Sequence, residues 1–181
     1  MRTRQTLFTI AFAFVMLFTN EITAQKFSGL DKSPADIVYF RTSRNAAPAV
    51  KVIYSRPQLK GRKVGSDLAT YGKVWRTGAN EATEVTFYQD VKFGGETVKA
   101  GTYSLFTVPG EKSWKVILNS DLHQWGAYQH DPSNDVVTVT VPAGTDNDSI
   151  EAFAIAFKKV SDGAHMVLGW DKTRVAIPIS M

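Results

Sequence analysis

Val91-Lys-Phe-Gly-Gly-Glu-Thr-Val98, running straight into Lys99-Ala-Gly-Thr-Tyr-Ser-Leu-Phe106, is the stretch that decides the fold. Gly94-Gly95 stands between two short runs, Val91-Lys-Phe93 and Glu96-Thr-Val98. That is the composition of a tight hairpin whose central residues need positive φ. Ala100-Gly101 then turns the chain into another strand, and Tyr103 just after it is placed to close a corner by bonding its hydroxyl to nearby backbone, although it could instead face a ligand. A β-hairpin followed at once by a third strand points to an antiparallel sheet.

Outward from this point the same period of two recurs. Val50, Val52 and Tyr54 point one way, Lys51, Ile53 and Ser55 the other, and Pro57, which has no N–H to donate, stops the ladder. Further strands are predicted at Val85 to Val91, Thr102 to Val108, Trp114 to Asn119, Val136 to Val141, Ala164 to Trp170 and Val175 to Ile179. Ile150 to Lys159 could be a helix opened by Asp148 or Ser149, but Phe153, Ile155 and Phe157 alternate with Ala154 and Ala156, which favours a buried strand. Asp131-Pro-Ser-Asn134, Ala143 to Ser149 and Ser161-Asp-Gly163 read as loops. The expected fold is all-β: one antiparallel, jelly-roll-like β-sandwich domain over 35–181, after a lead-in at 25–34, with little helix in the mature chain.

Residues 1–24 read as a secretory signal peptide. Arg2 and Arg4 give a basic start, Thr6 to Phe18 is apolar, and Ile22-Thr23-Ala24 offers a small residue before the cut. The apolar run is about 13 residues, short of the roughly 18 to 20 that span a bilayer. The mature chain is therefore expected to be exported, periplasmic or extracellular, with no membrane span. Taking 24 from 181 leaves 157 residues, enough for one domain with a real core. There is no cysteine, so neither a disulfide nor a thiol nucleophile is available. The formal charge is +4, or +3 without Arg2, Arg4 and Glu21. The one dense basic cluster, Lys60-Gly-Arg-Lys63, lacks interleaved aromatics, which argues against nucleic acid as a partner.

Candidate chemistry concentrates in Tyr71-Gly-Lys-Val-Trp-Arg-Thr-Gly-Ala-Asn-Glu-Ala-Thr-Glu-Val-Thr-Phe87. Arg76, Asn80 and Glu81 supply a guanidinium, an amide and a carboxylate, and Arg56 at the end of a strand could join them. Such a set either binds a polar ligand or pins a corner through a bidentate Arg76–Glu81 pair. Trp125, in Asp121-Leu-His-Gln-Trp-Gly-Ala-Tyr128, could stack on a sugar or cap the end of the sandwich. The other three tryptophans fit core positions. His123, His130 and His165 form no compact ligand set, so no metal and no cofactor are expected. There is no Gly-x-Ser-x-Gly elbow.

These features predict a non-catalytic binding module for a polar small molecule, a glycan or an envelope protein, using Arg56, Arg76, Asn80, Glu81 and Trp125. One alternative is a hydrolase built on the Glu81 and Glu84 carboxylates, with His123 as a partner from another loop; an arginine beside Glu81 would keep it ionised, as suits a nucleophile or base. Another is a closed barrel carrying an apolar ligand.

Tyr54-Ser-Arg-Pro57, the Tyr71 to Glu84 run, Lys99 to Phe106, Gln124-Trp-Gly-Ala-Tyr128 and Trp170-Asp-Lys-Thr173 resemble an uncharacterised family of exported bacterial proteins of Bacteroidota type, domain of unknown function 2911. The likeness spans nearly the whole mature chain. It implies an exported β-rich domain and carries over no activity, ligand or catalytic residue.

Overall fold

Alternation becomes geometry in the computed structural model, which describes residues 25–181. The expected signal peptide lies outside the described residues. Nine strands form in chain order: β1 (Ala35–Arg41), β2 (Pro48–Ser55), β3 (Thr83–Phe87), β4 (Val91–Phe93), β5 (Glu96–Val98), β6 (Gly101–Val108), β7 (Ser113–Asn119), β8 (Asp135–Val160) and β9 (Gly163–Ser180). A 3₁₀ turn, Pro132–Asn134, is capped by the Asp131 carboxylate, which accepts the Ser133 N–H and is thereby held below its ordinary pKa. All neighbouring strands are antiparallel, in the order β1-β2-β3-β6-β7-β8-β9-β4-β5. The all-β, antiparallel expectation holds. Where the sequence predicts a two-sheet sandwich, the hydrogen bonding gives one continuous sheet.

The continuity comes from β8. Its first residues pair with β7, from Asp135↔Asn119 to Pro142↔Ser113, and from Ala143 onward it pairs with β9. Ala143 to Ser149, predicted as a loop, is instead strand with an irregular register. The pairing jumps from Thr145↔Thr173 to Ile150↔Asp171, so the turn-forming residues Asp146, Asn147 and Asp148 are accommodated as a wide bulge. Ile150 to Lys159 is strand, as its alternation indicates. The predicted strand from Val85 to Val91 breaks in two. Phe87 ends β3, and Asp90 turns the chain by accepting the Lys99 ammonium at 2.8 Å and the Ala100 N–H at 2.9 Å. Gly94 and Gly95 adopt φ of 61° and 98°, as the hairpin requires. Tyr103 does close its corner, donating to Lys99 O at 3.0 Å.

Residues 32–181 form one unit around one principal core. Val50, Val52, Val85, Phe87, Leu105, Val116 and Leu118 line the inner face of the β2-β3-β6-β7 wing, and Phe93, Phe153, Ile155, Met166, Leu168 and Ile177 face them from the β8-β9-β4 wing. At one end Trp75 stacks on Trp170, with ring centres 5.5 Å apart, and meets Trp114 and Phe153 edge-on. Side chains fill this interior, which leaves the carrier-barrel alternative without its lumen among these residues.

The sheet curls until β8 reaches the β1–β2 end, where a seam of isolated bonds replaces a ladder. Phe153 N–H donates to Pro57 O, Leu59 N–H to Glu151 O, and Ile155 N–H to the Tyr54 hydroxyl. Arg56 Nε donates to Phe153 O at 3.0 Å while its Nη1 pairs with Asp36 at 3.2 Å.

Candidate functional site

The outer face of the first wing is only partly covered. Residues 120–134 lie over β6 and β7, where Phe106 and Ile117 form a small second core with Ala82. His130 seals this cover. Its side chain is 6% exposed, its Nε2 lies 2.8 Å from Asp135 Oδ1, and its ring meets Phe106 edge-on at 4.8 Å. Asn119 donates to both Asp135 and Asp131 O, and Asn134 donates to Asp121, so the cover is tied down at its base. This network was not singled out from the sequence, where Asn119 reads as the end of a strand and Asp131 and Asn134 as loop residues.

Residues 76–82 meet 121–128 where the cover begins. Ala82 N–H donates to Gln124 O, Gly126 N–H donates to Asn80 O, and Glu81 bridges Trp125. Thr77 and Asn80 take left-handed φ of 54° and 59°, and the buried Thr77 is fixed by Thr107 and by Thr83, whose hydroxyl donates to Thr77 O. Gly78 between them leaves little room for a side chain: a Cβ there would stand 3.0 Å from Thr83 Oγ1 and 3.1 Å from Ser55 O.

A recess of about 210 Å³ opens where the cover stops, lined by Ala35, Ile53, Tyr54, Ser55, Glu81, Ala82, Glu84 and His123. Strand parity explains its floor. Ile53 and Glu84 are register partners on the outward side of β2 and β3, behind the inward-facing Val52 and Val85. Glu84 Oε1 receives two contacts from one residue, the His123 backbone N–H and its ring Nδ1, each at 3.1 Å. The imidazole itself is 84% exposed. Next to Glu81, Trp125 leaves 62% of its surface open, and bridged residues project to the same side.

The structure divides the five predicted site residues. Glu81 lines the recess, and Trp125, its bridge partner, stands beside it outside the lining. Asn80 contributes its backbone carbonyl to the junction that holds them. Arg56 belongs to the seam on the inward side: the alternation that sends Ser55 outward sends Arg56 inward. Arg76 forms no ion pair with Glu81 among the described residues, which corrects the bidentate pin expected from the sequence. Its Nε is buried without a hydrogen-bond partner, and its Nη1 lies 3.1 Å from where a Cβ on Gly126 would sit, so the guanidinium runs beneath the 124–128 loop. Glu81 is thus not neutralised by that arginine. Glu84 and His123, which lie 39 residues apart in sequence, are brought into contact. No group of three or more His, Cys, Asp or Glu among the described residues is placed to hold a metal ion, and no described helix is long and apolar enough to cross a membrane.

Fold and site define a single-domain antiparallel β protein with an acidic, histidine-bearing recess on its outer face. A family model matches residues 33–179, and the chain belongs to that family, described as protein of unknown function (DUF2911). No curated protein and no solved structure matches it.

Proposed function

We propose that the chain is an exported binding module, periplasmic or extracellular, that takes one residue of a glycan into the Glu81–Glu84–His123 recess and stacks the next on Trp125. The observation that carries this is a large aromatic ring left mostly exposed directly beside a carboxylate-lined recess. Exposed aromatic faces suit sugar rings, whose axial C–H groups are apolar. Carboxylates accept two hydrogen bonds at once and so match vicinal hydroxyls. The size argues the same way. About 210 Å³ is below the roughly 300 to 1,000 Å³ of pockets for drug-sized ligands, which suits one unit of a longer chain.

Tryptophan emission tests this on the purified protein, because Trp114 and Trp170 are buried while Trp125 is open. A panel of glycans and small polar metabolites is titrated. A saturable change is expected with at least one glycan, weakened about tenfold or more by Glu81→Gln and unchanged in Arg56→Ala, and calorimetry, which does not use Trp125 as its reporter, should show a comparable loss of affinity in Trp125→Ala. A response confined to small metabolites, or one that survives Trp125→Ala at full affinity, rejects the glycan reading.

A further inference from the structure

Binding a polyol needs carboxylates and an aromatic face; it does not need an imidazole held in a fixed orientation. Yet His123 is held. It takes a left-handed φ of 59°, its backbone N–H donates to Glu84 Oε1, and its ring Nδ1 lies 3.1 Å from the same oxygen. A carboxylate beside Nδ1 favours the tautomer with the proton on Nδ1, which leaves the Nε2 lone pair free. The ring is exposed over the recess, so that lone pair is open to water. Ile53 and Ala82 offer apolar wall, and Ser55 also lines the recess. Nucleophile-activating sites share this pattern, a base within reach of the reacting atoms and a third group that orients the base.

From this we infer that His123 is a general base for hydrolysis of small O-acyl esters, with Glu84 as its positioning residue. His123 Nε2 takes a proton from water as the water oxygen bonds to the ester carbonyl carbon. When the tetrahedral adduct collapses, the bond from carbon to the alkoxy oxygen breaks and Nε2–H returns the proton to the departing alkoxide. The products are a carboxylic acid and an alcohol, and the imidazole is neutral again. Glu84 takes no proton; it holds the tautomer and stabilises the transient imidazolium. The recess admits an acyl group of acetyl size. If the bound ligand is a glycan, the substrates are O-acylated sugars, and that clause alone rests on the binding reading above.

The test is turnover of p-nitrophenyl acetate by the purified protein from pH 5 to 9. The rate is expected to be lost at acid pH, where a protonated imidazole cannot accept the proton. His123→Asn, which tolerates the left-handed backbone, should lower kcat/KM by about 100- to 10,000-fold. His123→Ala should match it, with thermal melting to check that both variants are folded. Glu84→Gln should lower the rate and displace the pH profile, which a purely structural role for Glu84 would not do. Ser55→Ala separates mechanisms: retention of single-phase kinetics supports attack by water, and loss of a burst of p-nitrophenolate would replace water by the serine as nucleophile and so overturn the step as written. A rate no greater than that of free imidazole, or one unchanged in His123→Asn, overturns the proposal. The two readings fail separately: glycan quenching of Trp125 without ester turnover removes hydrolysis alone, and turnover without any glycan response removes the glycan alone.

Discussion

Tyr54 shows how much one phenol can hold. The side chain is 4% exposed, and its hydroxyl accepts the Ile155 N–H at 3.0 Å across the seam. Tyr54→Phe would leave that N–H buried and unpaired, which costs about 1 to 3 kcal/mol, measurable by urea denaturation. Burial raises the phenol's pKa above its ordinary 10.0; the Ile155 hydrogen bond is the main opposing effect, the nearby Asp36 carboxylate adds to the rise, and Arg56 offsets part of it. The folded pKa is the higher one, so the neutral phenol's contribution is fully present below about 10 and is lost as pH rises through the folded value. Wild type should therefore lose stability relative to Tyr54→Phe above pH 10; parallel alkaline curves would contradict this. At this scale the sequence was partly legible. Parity along Val50 to Ser55 already sets Arg56 on the inward side, but a polar residue past the last apolar one is easily taken for a surface group. The contact between Glu84 and His123 was not legible, because nothing local links residues on different elements.

The β4–β5 hairpin is the element whose sequence spoke most plainly, and its two glycines make different demands. At Gly95 a Cβ would meet nothing within 4 Å, so Gly95→Ala carries only the left-handed backbone cost of about 1 to 2 kcal/mol. At Gly94 a Cβ would lie 2.7 Å from Val139 Cγ2, which adds an overpacking cost of about 1 to 3 kcal/mol. Denaturant midpoints should rank wild type above Gly95→Ala and Gly95→Ala above Gly94→Ala; equal midpoints would mean that the hairpin can shift away from Val139. Turn composition located this element because the hairpin is local. The same chemistry misled at Ala143 to Ser149, where Gly144, Asp146 and Asn147 sit within a strand that bulges and then resumes pairing with β9. β1 went unpredicted for the opposite reason. Ile37-Val-Tyr-Phe40 is apolar on both faces, so alternation is hidden, and only pairing with β2 reveals it.

Across the whole molecule the two wings share one core and one long strand, so neither can unfold by itself. Circular dichroism and tryptophan emission should report a single coincident transition. Arg56→Ala tests the seam that completes this arrangement. Losing the charged bond to Phe153 O, together with the half-exposed pair to Asp36, should cost about 1 to 3 kcal/mol, most of it from the carbonyl bond. A loss of ligand response in the folded variant would place Arg56 back in the site. The fold class was readable because period-two patterning is written in every strand; the curling of the sheet was not, since it depends on one strand serving two neighbours in turn.

That seam joins Tyr54 and Arg56 to Phe153 and Ile155, partners about a hundred positions apart. Whether the chain emerges from a ribosome or a translocation pore, its opening strands must wait for nearly everything downstream before they are sheltered. Local hairpins such as β8–β9 can assemble early, while joining such remote partners carries the larger loop-closure penalty and comes late. The seam is thereby the last part of the sheet expected to close.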